Sequence, residues 1–115
     1  MAAFNYVVFE ERCPHCDRQV VLKAQTHIAS DYEGDEHGRF MDHEYQLGER
    51  MKWFSRTHPD FDTWKTWGGE GDTIHEDCPA SCPSCNTKLN AQIAFEDLTP
   101  VAVTNLSVWA APSRP

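Results

Sequence analysis

At 115 residues the chain has the length of one domain, and its 40% hydrophobic content is low for building a large core without additional support. The formal net charge of −8 argues against direct binding to nucleic acid, because proteins that bind nucleic acid usually concentrate lysine and arginine to neutralise phosphates. No apolar stretch approaches the length of a membrane span, and residues 1–30 lack the pattern of a secretory signal. We therefore expect a cytoplasmic protein whose cysteines stay reduced.

The first flank of the chain predicts a β-hairpin. In the stretch FNYVVFEERCPHCDRQVVLKAQTHIA, which begins at Phe4, β-branched and aromatic residues lie on both sides of a short turn. The turn contains Cys13 and Cys16, which are separated by two residues. The pattern indicates strand, cysteine turn and strand.

The central segment, residues 31–77, carries the entire net charge. It holds thirteen acidic and five basic side chains, whereas the two flanks are each neutral. The polar, glycine-spaced run SDYEGDEHGRFMDHE predicts a loop. The next run, YQLGERMKWF, is compatible with a strand that bends at Gly48. We refer to residues 31–77 as the acidic insert.

The run THPDFDTWKTWGG predicts a short helix over about 59–67. Thr57 or His58 can cap its first turn, Pro59 suits the first helical position, and Gly68 can end it. This helix would align the aromatic residues of the run along one stripe.

The last flank predicts a second β-hairpin. Its first strand alternates, placing four apolar side chains on one face: Leu89, Ala91, Ile93 and Phe95. Residues 96–100 supply a turn, and VAVTNLSVW returns as the partner strand. Residues 110–115 have the composition of a frayed tail. The sequence therefore predicts a mostly β single domain over 1–109, with the insert inside it.

The two cysteine turns repeat one short motif, CPHCD and CPSCN. Both place a proline after the first cysteine, where a restricted φ helps to pre-form the turn. Asp17 and Asn86 follow the second cysteines, and these residue types tolerate the left-handed region better than other non-glycine residues. Together the two turns supply four thiolates, which is enough to close a tetrahedral metal site.

These motifs resemble the two knuckles of the zinc ribbon family, in which CPxCG turns lie at the tips of β-hairpins. The resemblance implies a zinc ribbon built from two hairpins and one structural Zn²⁺. The ligands that it implies are Cys13, Cys16, Cys82 and Cys85. Asp17 and Asn86 stand where the family usually has glycine, and the long insert is a larger departure. Iron is the alternative metal, because rubredoxins use two similar turns.

A fifth cysteine, Cys78, lies four residues before Cys82. It offers an alternative ligand, but CPSCN matches the first knuckle and a set containing Cys78 does not. We therefore expect Cys78 to be a reduced cysteine outside the site.

Signs of catalysis are few. The run IHEDCPASCPSC partly matches the deaminase signature, but His75 and Glu76 are adjacent and the following cysteines come too soon. No phosphate-binding, serine-hydrolase or metalloprotease motif occurs. The insert contains four histidines near acids such as Asp35, Asp42 and Glu44, which leaves a small metalloenzyme as one alternative: His37, His43, His58 and His75.

The insert also concentrates aromatic residues, and two interpretations compete. Its aromatic side chains can pack on the hairpins as a second layer, or some of them can join the acids in a patch that binds a basic protein. The candidate patch residues are Asp35, Glu36, Asp42, Glu44, Trp53, Trp64 and Trp67.

The leading hypothesis is a non-catalytic zinc-binding interaction module with no evident small-molecule substrate. Its partner would be a basic protein, as for an acidic inhibitor or immunity-type protein that covers a basic active site. The first alternative is a nucleic-acid-associated zinc ribbon in a transcription or translation assembly. The second is the small metalloenzyme that uses the insert histidines.

Overall fold

The protein is described by a computed structural model, in which residues 4–30, 38–66 and 73–109 are described. Six strands and one short helical segment form within these ranges. They are β1 (Asn5–Arg12), β2 (Gln19–Thr26), β3 (Glu44–Gln46), a 3-10 helix (Phe61–Thr66), β4 (Thr73–Ser81), β5 (Lys88–Glu96) and β6 (Thr99–Val108). The mostly β prediction is confirmed.

The first sheet has the strand order β2-β1-β3. β1 and β2 are antiparallel and pair without interruption from Asn5 opposite Thr26 to Arg12 opposite Gln19. Alternate residues of β2 are buried, as expected for a strand with one face on the core. β3 adds to β1 in parallel over three residues. Beyond β3 the chain turns at Gly48, whose φ of 88° explains why glycine suits this position.

The second sheet has the strand order β4-β5-β6, and both pairs are antiparallel. The predicted apolar face of β5 is confirmed, because its four alternate side chains are fully buried: Leu89, Ala91, Ile93 and Phe95. The return strand β6 is also present, with two register shifts against β5. The strand β4 was not predicted. β4 begins within the range assigned to the acidic insert, so residues 73–77 belong to the second sheet.

One hydrophobic core joins the two sheets. β2 and β4, which are edge strands of their respective sheets, contact each other. Side chains from both hairpins belong to the same buried cluster as several from the insert, including Phe40, Tyr45, Trp53 and Trp64. The insert is therefore an integral part of the core. The interpretation in which its aromatic residues cover the hairpins holds for these side chains.

The helix expected over 59–67 is corrected to a 3-10 helix at Phe61–Thr66. Backbone bonds from Phe61 to His58 and from Thr63 to Asp60 span three residues instead of four. This spacing brings Phe61 and Trp64 to the same side, and both are buried. Among the described residues, no helix is long and apolar enough to cross a membrane.

Candidate metal centre

The two cysteine turns have nearly the same backbone structure. Each lies at the tip of a hairpin, between β1 and β2 or between β4 and β5. In the first turn, Asp17 N–H donates to Cys13 O at 2.9 Å, and in the second, Asn86 N–H donates to Cys82 O at 2.8 Å. The φ angles of Asp17 and Asn86 are 63° and 60°, in the left-handed region. This agrees with the reason for expecting aspartate and asparagine at these positions.

Each turn directs backbone N–H groups at the sulfur of its first cysteine. The N–H groups of His15 and Cys16 lie 3.4 and 3.5 Å from Cys13 Sγ. The second turn repeats the arrangement around Cys82 Sγ, at 3.4 and 3.5 Å. N–H groups placed in this way donate toward the sulfur, which is the arrangement that suits a metal-bound thiolate.

The four sulfur atoms of the two turns come together. All lie within 4.8 Å of one another. Across the two turns, the Cys13 and Cys85 sulfurs are 3.9 Å apart and the Cys16 and Cys82 sulfurs are 3.8 Å apart. A tetrahedral Zn²⁺ with Zn–S bonds of about 2.3 Å has sulfur–sulfur edges of about 3.8 Å. The cluster therefore has the size and donor chemistry of a four-thiolate metal site.

The thiols of the cluster differ in acidity. Hydrogen bonding from the Cys16 backbone, joined by that of His15, holds the pKa of Cys13 below its ordinary value. Hydrogen bonds from the side chain and backbone of Thr87 lower the pKa of Cys85 to about 5. The backbone of Arg18 favours ionised Cys16, but burial and the neighbouring sulfurs outweigh it and raise the pKa of Cys16 to about 11. A bound cation would favour the thiolate form of all four.

Cys78 lies outside the cluster, as expected. It is fully buried in β4, and its sulfur is 3.2 Å from Glu76 Oε1. Burial raises the pKa of Cys78, and the nearby Glu76 carboxylate adds to the shift. The same carboxylate accepts hydrogen bonds from the Thr26 hydroxyl and from His27 N–H. Glu76 thus links β4 to the end of β2, and sequence reasoning missed this contact because it joins residues fifty positions apart.

The candidate partner-binding residues fall into three groups. Asp42 and Glu44 are exposed, and Glu44 pairs with Lys23 at 3.0 Å. Trp53 and Trp64 are only 6% and 2% exposed. Since a buried side chain cannot form an exposed patch, the expectation for these two tryptophans is corrected. The remaining three lie outside the described residues: Asp35, Glu36 and Trp67.

The insert histidines do not form a second cluster in the described part of the chain, where the four cysteines are the only group of three or more closely placed metal-ligating side chains. His43 Nε2 lies 2.6 Å from Arg39 O. His58 stacks on Phe54, and its Nδ1 accepts a hydrogen bond from Asp60 N–H. His75 is exposed on β4, and His37 lies outside the described residues.

Comparison with known protein families, with curated proteins and with solved structures finds no match to this chain. A proposal about the function of this chain therefore rests on the geometry of the cysteine cluster.

Proposed function

We propose that the four cysteines bind one structural zinc ion that joins the tips of the two hairpins, in the manner of a zinc ribbon. The observation that supports this proposal most strongly is the pair of sulfur–sulfur distances across the turns, 3.9 and 3.8 Å. Zinc suits four thiolates and needs no other ligand. Iron fits the same donor set, so the metal must be identified by analysis.

Metal analysis of protein purified under reducing conditions tests this proposal. We expect one equivalent of zinc per chain, and a colourless protein because Zn²⁺ has a filled d shell. One equivalent of iron, with the visible absorption of iron–thiolate bonds, would replace zinc as the metal. Less than a tenth of an equivalent of any transition metal would contradict the site.

The role that best suits this arrangement is a non-catalytic binding module in a reducing, cytoplasmic setting. Four protein thiolates leave no coordination position for a substrate, so the metal would act on folding and not on chemistry. The metal would hold both hairpins, and the buried aromatic residues of the insert would anchor it to the same core.

We further propose that the partner is a basic protein, and that the module acts as an inhibitor or immunity-type protein. The support is the charge of −8 and its restriction to residues 31–77. In the described part of the insert, several of its acids are exposed to solvent: Asp42, Glu44, Asp60 and Asp62. Acids of this kind accelerate the approach of a basic partner and make the association sensitive to salt.

Charge reversal tests the partner proposal. The probe is a panel of purified basic nuclease domains, with association measured at two salt concentrations. Reversing Asp60 and Asp62 to lysine should slow association about tenfold at low salt. The matched control reverses Glu10 and Glu11, two exposed acids of the neutral first flank.

Three outcomes would contradict the partner proposal. One is an equal fall in the association rate of both variants, which would indicate a non-specific charge effect. The second is absence of binding to any basic domain. The third is retention of the protein on nucleic acid at moderate salt, which would favour the alternative of a transcription or translation assembly.

A further inference from the structure

The outer strand of the second sheet is long and carries no charge. β6 spans ten residues and contains no aspartate, glutamate, lysine or arginine. Each of the other five described strands contains at least one charged residue. Soluble proteins usually protect an edge strand from pairing with other strands by charged side chains or by keeping the strand short. β6 has neither of these features.

The edge of β6 is open over most of its length. The sheet order β4-β5-β6 leaves no strand on its outer side within the described ranges of the chain. Gly48 N–H donates to Pro100 O at 2.7 Å, so the insert covers only the beginning of the strand. The other outer strands differ, because β3 has three residues and β2 and β4 contact each other. An antiparallel edge strand directs half of its backbone N–H and C=O groups outward, so residues 101–108 offer a row of donors and acceptors.

The hydrophobic core ends at this edge in two half-buried side chains. Val103 lies opposite Ile93 and Leu106 lies opposite Ala91, and both of these β5 residues are fully buried. Val103 and Leu106 pack against the same core but remain partly exposed. A register shift between β5 and β6 at Thr104 places them on one face, since residues three apart lie on opposite faces of a regular strand. The open edge therefore presents apolar surface beside its free backbone groups.

The sequence of this edge, VAVTNLSV, is nearly symmetric about its centre. When it is aligned antiparallel with itself about the midpoint of Thr104 and Asn105, each residue meets one of similar size or polarity. The pairs are Val101 with Val108, Ala102 with Ser107, Val103 with Leu106, and Thr104 with Asn105. A two-fold interface requires this property, because the same surface of both chains must fit itself. The strand therefore suits a second copy of itself as its partner.

We propose that two copies of the chain associate through antiparallel pairing of their β6 strands, which joins the two second sheets into one sheet of six strands. Val103 of each copy would lie beside Leu106 of the other and extend the core across the two-fold axis. Val101 and Val108, which are 39% and 44% exposed, would meet at the ends of the pairing. Apolar pairs of this kind stabilise adjacent strands, and no like charges face each other.

Sedimentation equilibrium of the full chain under reducing conditions tests the proposal. We expect a monomer–dimer equilibrium with a Kd below about 1 mM, in the range of weak or transient interfaces. The dimer fraction should rise with salt, because salt screens the repulsion between two chains that each carry a charge of −8. Binding of a basic partner should show the opposite salt dependence. Backbone amides of residues 101–108 should exchange hydrogen more slowly at concentrations where the dimer is populated.

Two matched variants test the register of the pairing. Thr104→Lys with Asn105→Lys places lysines opposite each other and should weaken the dimer at least about tenfold relative to Thr104→Glu with Asn105→Lys, which places opposite charges there. Both variants lose the hydrogen bond from the Thr104 hydroxyl to Gln92 O, so this loss does not affect the comparison. The two added lysines also change the net charge from −8 to −6, which by itself would favour association. A thermal melt of each variant confirms that the fold is retained.

Three outcomes would overturn the proposal. The first is a monomer at every concentration up to about 1 mM, which would leave no affinity to explain. The second is equal dimerisation of the two variants, which would exclude pairing about Thr104 and Asn105. The third is a dimer in which the exchange of the β6 amides does not change, which would place the interface elsewhere on the chain.

Discussion

Removing one ligand from each cysteine turn should abolish metal binding and most of the stability of the fold. The change is Cys13→Ser with Cys82→Ser. The proposed metal would cross-link the two turns through residues such as Cys16 and Cys82, which are 66 positions apart. A cross-link over that separation removes about 4 kcal/mol of conformational entropy from the unfolded chain. Since a domain of this size is stable by only about 5–15 kcal/mol, the variant should be marginally folded.

The assay is urea denaturation followed by tryptophan fluorescence, with metal content measured on the same samples. The unfolding free energy of the double variant should fall by at least about 4 kcal/mol. A chelator added to the unmodified protein should give a loss of the same order, because a structural metal binds the folded state far more tightly than the unfolded chain.

Cys78→Ser is the matched control, since it makes the same atomic change at a buried cysteine outside the cluster. The serine hydroxyl can still donate to Glu76, so metal content should stay at one equivalent and stability should change little. The reasoning would be refuted if the double variant kept its metal. Unchanged stability after complete metal removal would refute it equally.

Three further predictions concern single residues. Asn86→Ala should lower the unfolding free energy by about 1 kcal/mol, because the φ of 60° at this position is strained for alanine. Asn86→Gly should leave the unfolding free energy unchanged, and urea denaturation compares the two variants. Glu76→Ala should lower it by about 1–3 kcal/mol in the same assay, since the buried Thr26 hydroxyl loses its acceptor, and an unchanged midpoint would contradict the link between β2 and β4. Hydrogen bonding from Arg50 holds the pKa of Asp97 below its ordinary value. The stabilisation from this pair is therefore present above the unfolded pKa of about 4 and is lost as pH falls through the folded value. Because the pair is largely exposed, Asp97→Asn should reduce stability by less than about 1 kcal/mol at pH 7, and melts at lower pH should show the difference from wild type disappear.

The parts of the structure that could be predicted depend on sequence patterns within a few neighbouring positions. The cysteine turns could be found because spacing, proline and turn residue repeat within five positions, and the geometry then brings Cys13 and Cys85 together. The first hairpin and the alternating strand β5 were found because β-branched, aromatic or alternating residues follow one another closely.

The parts that were missed depend on distant partners. β4 has the sequence TIHEDCPAS, whose acids and proline are unfavourable in strands, and it forms because all nine of its residues pair with β5. The burial of Trp53 and Trp64 was also not predictable, since the same residue type favours both cores and binding surfaces. Only the packed structure distinguishes the two roles.

The near identity of the two cysteine turns has a consequence for synthesis of the protein. On the ribosome the first turn emerges well before the second, so Cys13 and Cys16 wait for their counterparts while the intervening 65 residues are made. During that interval the first turn of a neighbouring nascent chain offers nearly the same backbone structure as the missing second turn. A metal ion that arrived early would then join two chains through their first turns, and the second turns would have to displace that contact.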